Sequence, residues 1–158
     1  MRFLMLIAAL LFAAPALAET WRGYANDRFG YEISIPPDLD MVAQSDNGDG
    51  ATFKSSDGRQ VLAVWGGNII EGDFDYEVTT RLIALDEKSW NITYKAVTPT
   101  WASFSGSKGG QVIYWRAISL CGGTQYAMFQ FDYPLSRLHA LNDTVDRLVS
   151  TLAADGRC

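Results

Sequence analysis

Polar and apolar residues alternate in "RFGYEISIPPDL", where Tyr31, Ile33 and Ile35 point one way and Glu32 and Ser34 the other. A period of two predicts a half-buried β-strand. Pro36-Pro37 ends it, because neither proline can donate to a ladder. After the loop "QSDNGDG", strand segments near Thr52–Lys54 and Val61–Trp65 flank Asp57-Gly58, a hairpin signal. The period then changes. Phe74, Val78, Leu82 and Leu85 recur every three or four residues, Asp73 is placed to cap, and acids occupy the first turn. That pattern predicts a helix over Phe74–Ser89. "NITYKAV" and "TWASFSG" read as strands on either side of Pro99, and Ser105–Gly110 as a loop. The longest hairpin joins "QVIYWRAISL" to "QYAMFQFD" through Gly122-Gly123. In the last segment Leu138, Leu141, Val145, Leu148 and Leu152 are spaced 3, 4, 3 and 4, which predicts an amphipathic helix running from Leu135 to Leu152.

Pairing the long hairpin symmetrically about Gly122-Gly123 sorts its side chains into two faces. Ile113, Trp115 and Ala117 share one with Tyr126 and Met128; Tyr114, Ile118 and Leu120 share the other with Ala127, Phe129 and Phe131. Both faces are apolar, so both need cover. The expected fold class is α+β: an antiparallel β-sheet sandwiched by helices in an α/β/α arrangement, with one helix inserted mid-chain and one C-terminal.

Before these elements stands "MRFLMLIAALLFAAPALAET", with a positive Arg2, an apolar run Leu4–Ala14 and a small-x-small site at Ala16-Leu17-Ala18. This is the pattern of a signal peptide, residues 1–18, cut after Ala18. The run is too short for a bilayer span, which takes about 20 apolar residues. The mature chain, residues 19–158, then forms one domain that is periplasmic or secreted, with no integral membrane span after cleavage. Loss of Arg2 leaves 12 basic against 18 acidic residues, a net charge of −6. With no basic cluster, nucleic acid is not an expected partner.

The segments "NDRFGYEISIP" (Asn26–Pro36), "NGDGATFKSSDGRQVLAV" (Asn47–Val64), "SGSKGG" (Ser105–Gly110) and "FDYPLSRL" at the opening of the last helix resemble the PsbP-like fold. That fold is shared by a photosystem II extrinsic subunit and a Ran-binding nuclear import factor. The resemblance spans nearly the whole mature chain and rests on turns and strand starts. It implies a binding or assembly role without a common active site.

Cys121, in "SLCGGTQY", is one of two cysteines and is open to three readings: nucleophile, metal ligand or half of a disulfide. A last helix from Leu135 to Leu152 spans about 27 Å, and the strand Thr124–Asp132 about 30 Å. The helix therefore returns to the level of the Gly122-Gly123 turn, and Ala153–Cys158 covers the remaining gap. In an oxidising compartment this favours a Cys121–Cys158 disulfide, closing about 38 residues and stabilising by on the order of 4 kcal/mol. As a nucleophile Cys121 needs a base, and His139, the single histidine, lies at the far end of that helix. "GSKGG" lacks the Gly-Lys-Ser/Thr order of a phosphate loop, and no Gly-x-Ser-x-Gly elbow occurs. No metal site is expected: the acidic loop "DLDMVAQSDNGDG" has Ala43 where an EF-hand needs glycine, and Asp49 where it needs glutamate.

Two residues are less easily assigned to structure alone. Arg116 alternates with Tyr114 and Ile118 on an apolar strand face, where a guanidinium must be paired, reach solvent or anchor a carboxylate or phosphate. Trp101, between Pro99-Thr100 and a Ser/Gly-rich stretch, is the tryptophan expected to be exposed for contact. The expected function is an exported, non-catalytic binding or accessory domain that needs no cofactor and takes an envelope protein or small ligand. The alternatives are an enzyme with a carboxylate or Arg116 site, or a structural envelope component.

Overall fold

The computed structural model describes residues 20–158; the predicted signal peptide lies outside the described residues. The elements run β1 (Arg22–Asn26), β2 (Tyr31–Ile35), β3 (Leu39–Gln44), β4 (Gly50–Ser55), β5 (Val61–Asn68), α1 (Phe74–Glu87), β6 (Asn91–Val97), β7 (Trp101–Lys108), β8 (Gln111–Leu120), β9 (Gln125–Pro134), α2 (Asn142–Thr151) and β10 (Ala153–Ala154). Strands β3-β4-β5-β9-β8-β7-β6 form one antiparallel sheet, and β1-β2-β10 a smaller second one. The chain is an α+β protein built mostly from antiparallel strands.

The large sheet separates two apolar clusters, and the alternation along β8 and β9 decides which residues join which. Trp115, Ala117, Tyr126 and Met128 pack with Phe104 and with Phe74 and Val78 of α1. Leu120, Ala127, Phe129 and Phe131 pack on the opposite face with Ile33 and Ile35 of β2 and with Val145 and Leu148 of α2. The Gly122-Gly123 register places Ile118 opposite Ala127 and Leu120 opposite Gln125, as the symmetric pairing requires. The second face is covered by the small sheet and α2 together. Half of that layer is therefore strand, because the alternating apolar residues of β2 need a partner surface of their own.

α1 begins where expected. The Asp73 side chain accepts from the Tyr76 amide at 3.0 Å. It ends at Glu87, two residues short of Ser89, because Ser89 itself takes a left-handed φ of 61° and turns the chain out. The last helix departs further from expectation. Leu135 N still donates to Gly110 O at 2.8 Å, so the chain is tied to the β7–β8 turn at the point where a helix was expected to start. It then continues in two short 3₁₀ turns, Leu135–Arg137 and His139–Leu141, before α2 begins at Asn142. The apolar stripe survives the interruption: Leu141, Val145, Leu148 and Leu152 are all buried.

Two further strands come from segments without a clean alternation. β1 precedes the first expected strand, and β3 occupies Leu39–Gln44, where only Leu39 is buried. Ser105–Gly110 is shorter as a loop than expected. β7 continues to Lys108, and the turn is Gly109-Gly110, with φ of 56° and 81°. Such a pair suits the tight two-residue hairpin, whose central residues both need positive φ.

Candidate functional site

The Gly109-Gly110 turn sets Lys108 opposite Gln111, and everything further along β7 and β8 follows from that register. Ser103 lies opposite Arg116, Ser105 opposite Tyr114 and Trp101 opposite Ile118. On β6 a bulge between Ile92 and Tyr94 restores the alternation, so Tyr94 faces Ser105 and Ala96 faces Ser103. One face of this end of the sheet thus carries large side chains on its flanking strands and serines on the strand between them. The serines leave room above β7. Tyr94 and Tyr114 stack across it, with ring centroids 6.5 Å apart, and Tyr114 stacks in turn on Phe129 at 6.2 Å.

Arg116 uses the same space. Its Nη1 donates to Ser103 Oγ at 3.1 Å, and its Cζ sits 4.3 Å from the centre of the Trp101 ring. A guanidinium over an indole is attracted to the ring's negative face by about 0.5–2 kcal/mol, more as water is excluded. Trp101 is therefore half-buried under a cation and only partly exposed. The structure brings the two candidate residues into contact with each other, although 15 positions separate them in the sequence.

Arg116 is electrostatically incomplete. Arg22, Arg28, Arg59, Arg81 and Arg157 each hold a carboxylate, but among the described residues no acid lies within ion-pair distance of Arg116. Its Nε is buried and has no hydrogen-bond partner. Burial lowers the pKa of the guanidinium, and the neighbouring phenols of Tyr114 and Tyr94 oppose that shift; it nevertheless remains charged, as arginines do in proteins. Burial likewise raises the Tyr114 phenol, while the Ser103 hydroxyl pulls the other way. Arg81 on the opposite face shows what a closed arrangement looks like. It binds Glu77 at 2.8 Å and the Tyr126 hydroxyl at 3.1 Å, and lies over Trp65.

The other candidates have structural roles. Cys121 and Cys158 are joined in a disulfide with Cα atoms 5.3 Å apart, so neither sulfur is a thiol. The route between them differs from a long returning helix. α2 is about 15 Å long, and the remaining distance is crossed by β10, which pairs with Glu32 and Tyr31 of β2, and by the tail that Asp155 N anchors on Gly30 O. His139 is exposed in the second 3₁₀ turn. "GSKGG" is the tip of the β7–β8 hairpin. Within the acidic loop, Asn47 and Asp49 bond each other, and Arg28 pairs with Asp49 at 3.0 Å. Among the described residues no group of three or more His, Cys, Asp or Glu side chains is placed to hold a metal ion, and no helix is long and apolar enough to cross a membrane.

Ser103, Tyr94 and Tyr114 completed the site without being singled out from the sequence. The signal was present: taking Gly109-Gly110 as the hairpin centre pairs Ser103 with Arg116 at once. Reading Ser105–Gly110 as a loop discarded that register.

No protein-family model matches the chain, and no curated protein matches it by sequence. Solved structures do match. The chain is similar to cyanobacterial PsbP (CyanoP) from Synechocystis sp. PCC 6803, with a TM-score of 0.66 at 11% identity, covering 92% of this chain and 98% of that one. It is also similar to the Ran-binding protein Mog1p of Saccharomyces cerevisiae, with a TM-score of 0.63 at 10% identity, covering 87% and 97%. The fold is PsbP-like.

Proposed function

We propose that this PsbP-like chain is an exported, non-catalytic binding or accessory domain. Its contact surface is the β6–β8 face that carries Tyr94, Trp101, Tyr114 and Arg116. One observation carries the reading: an aromatic row and an unpaired cation are presented together on rigid strands, with Tyr94 45% exposed. Tyr, Trp and Arg are the residues that concentrate binding energy in protein interfaces, because they offer large area and directional polar groups at low entropic cost. Strands hold these side chains in place before any partner arrives, which lowers the cost of association. The leader pattern and the Cys121–Cys158 disulfide support an oxidising, extracytoplasmic setting. The Ran-binding description of Mog1p supports a protein as the occupant, by analogy of fold.

Site-specific photo-crosslinking in the producing cells tests this. A crosslinker at Tyr94 is expected to trap a discrete protein adduct. One at Ile83, exposed on α1 on the other side of the sheet, is expected to trap none. Equal trapping at both positions, or none at Tyr94, removes this face as the contact surface.

A further inference from the structure

We infer that Arg116 is a receptor for a carboxylate, and that the group it takes is the acidic side chain of a protein partner seated on the β6–β8 face. The inference rests on the contact-surface reading above and names the chemistry that surface recognises. It is carried by the state of each guanidinium nitrogen. Nη1 is engaged by Ser103 Oγ. Nε has no acceptor and is sealed from solvent. Nη2 makes no protein hydrogen bond and is not among the buried atoms that lack a partner, so it meets solvent. The Nε–Nη2 edge is the side-on fork of arginine, two parallel N–H donors whose spacing matches the two oxygens of a carboxylate.

A buried N–H without an acceptor costs about 1–3 kcal/mol, and an oxygen reaching Nε removes that cost. Trp101 holds the guanidinium plane, so the fork is oriented before binding. Tyr94, stacked on Tyr114 and 45% exposed, adds an aromatic surface to the same face. Among the described residues no acid competes: Asp146 of α2 is felt by the Tyr114 phenol but forms no ion pair with Arg116. The domain is acidic as a whole, so a fixed, uncompensated cation on a half-buried strand face is a local inversion of its charge. The guanidinium lies over the Trp101 ring, so an anion held at the Nε–Nη2 edge changes the surroundings of the indole, which makes Trp101 the reporter of occupancy.

The test uses the oxidised, secreted chain and two readouts. In the first, the Arg116 Nε–H and Trp101 indole N–H resonances are followed during titration with sodium glutarate, with sodium chloride at matched ionic strength, and with inorganic phosphate. Both resonances should move saturably with glutarate and not with chloride. Followed at the Trp101 resonance, R116K, which keeps the charge but loses the fork, should weaken the response roughly tenfold or more; R116Q should abolish it, with thermal melts confirming that both variants fold. In the second, the adduct trapped from Tyr94 should fall by a similar factor in R116K and be competed by glutarate.

Equal movement with chloride, or a response unchanged in R116K, overturns the site. Saturation with phosphate but not glutarate overturns the assignment to a carboxylate. An adduct that forms undiminished in R116K overturns the inference and leaves the contact surface standing. Glutarate binding without any adduct at Tyr94 overturns the protein partner and, with it, the reading on which the inference rests.

Discussion

A carboxylate buried within a sheet carries an ionisation cost that its surroundings in the fold decide. Asp132 is the clearest case. It lies on β9 between Val61 and Ile113, on the sheet face that α1 packs against, and its one side-chain partner is Gln130 Nε2 at 2.7 Å. Burial raises its pKa, and the Gln130 hydrogen bond only partly offsets this. The folded pKa therefore lies above the unfolded one, so ionisation costs more in the fold than in the open chain. That cost is absent below the ordinary carboxylate value of about 3.9, grows as pH rises through it, and is complete above the folded pKa. D132N, which keeps an acceptor for Gln130, is expected to be more stable than the parent at neutral pH, with the difference closing as the pH approaches the ordinary carboxylate value. Chemical denaturation of both proteins across that range measures it, and a pH-independent difference contradicts the account. Gly50 depends on tertiary packing in another way: a Cβ there would stand 1.9 Å from Val64 O, a contact known only once β4 is laid against β5.

At the scale of elements, periodicity located the helices and failed where an element is held by something other than its own pattern. α1 starts at Phe74 because Asp73 caps it, and both signals are local. The start of α2 is not local: the hydrogen bond from Leu135 to Gly110, two strands away in sequence, postpones it to Asn142. β10 is two alanines with no strand signature, and it exists because the tail is held at both ends, by α2 before it and by Cys158 after it. The disulfide joins residues separated by 37 positions, and by loop entropy its loss should cost on the order of 4 kcal/mol. C158S, or reduction of the parent, is expected to lower the unfolding free energy by that amount and the denaturation midpoint with it, while the denaturant slope rises because the unfolded chain expands without its crosslink. Hydrogen exchange should increase first at Asp155 and Glu32, where the tail meets β2. A midpoint unaffected by reductant would show that the tail is anchored without its staple.

For the whole molecule, the testable expectation is processing. The secreted protein should have an intact mass starting at Glu19, and its two cysteines should resist alkylation until reductant is added. Mass spectrometry of the alkylated protein reads both at once; two free thiols, or a retained leader, remove the extracytoplasmic setting from the functional proposal. Hydrophobic patterning by itself determined where α1 and the apolar stripe of α2 lie, which residues of β8 and β9 share a face, and that both faces of the sheet are buried. Those properties follow from the periods of helix and strand, which act over a few residues. Only the tertiary structure decided that half of the second cover is a small sheet, that the tail crosses to Cys121 as a strand, and that Arg116 rests on Trp101 without a carboxylate. Each of these depends on which strands become neighbours and in what register. Register is set by turn geometry and by packing between distant segments, and a one-dimensional pattern of polar and apolar residues does not record which acceptor a buried donor will lack.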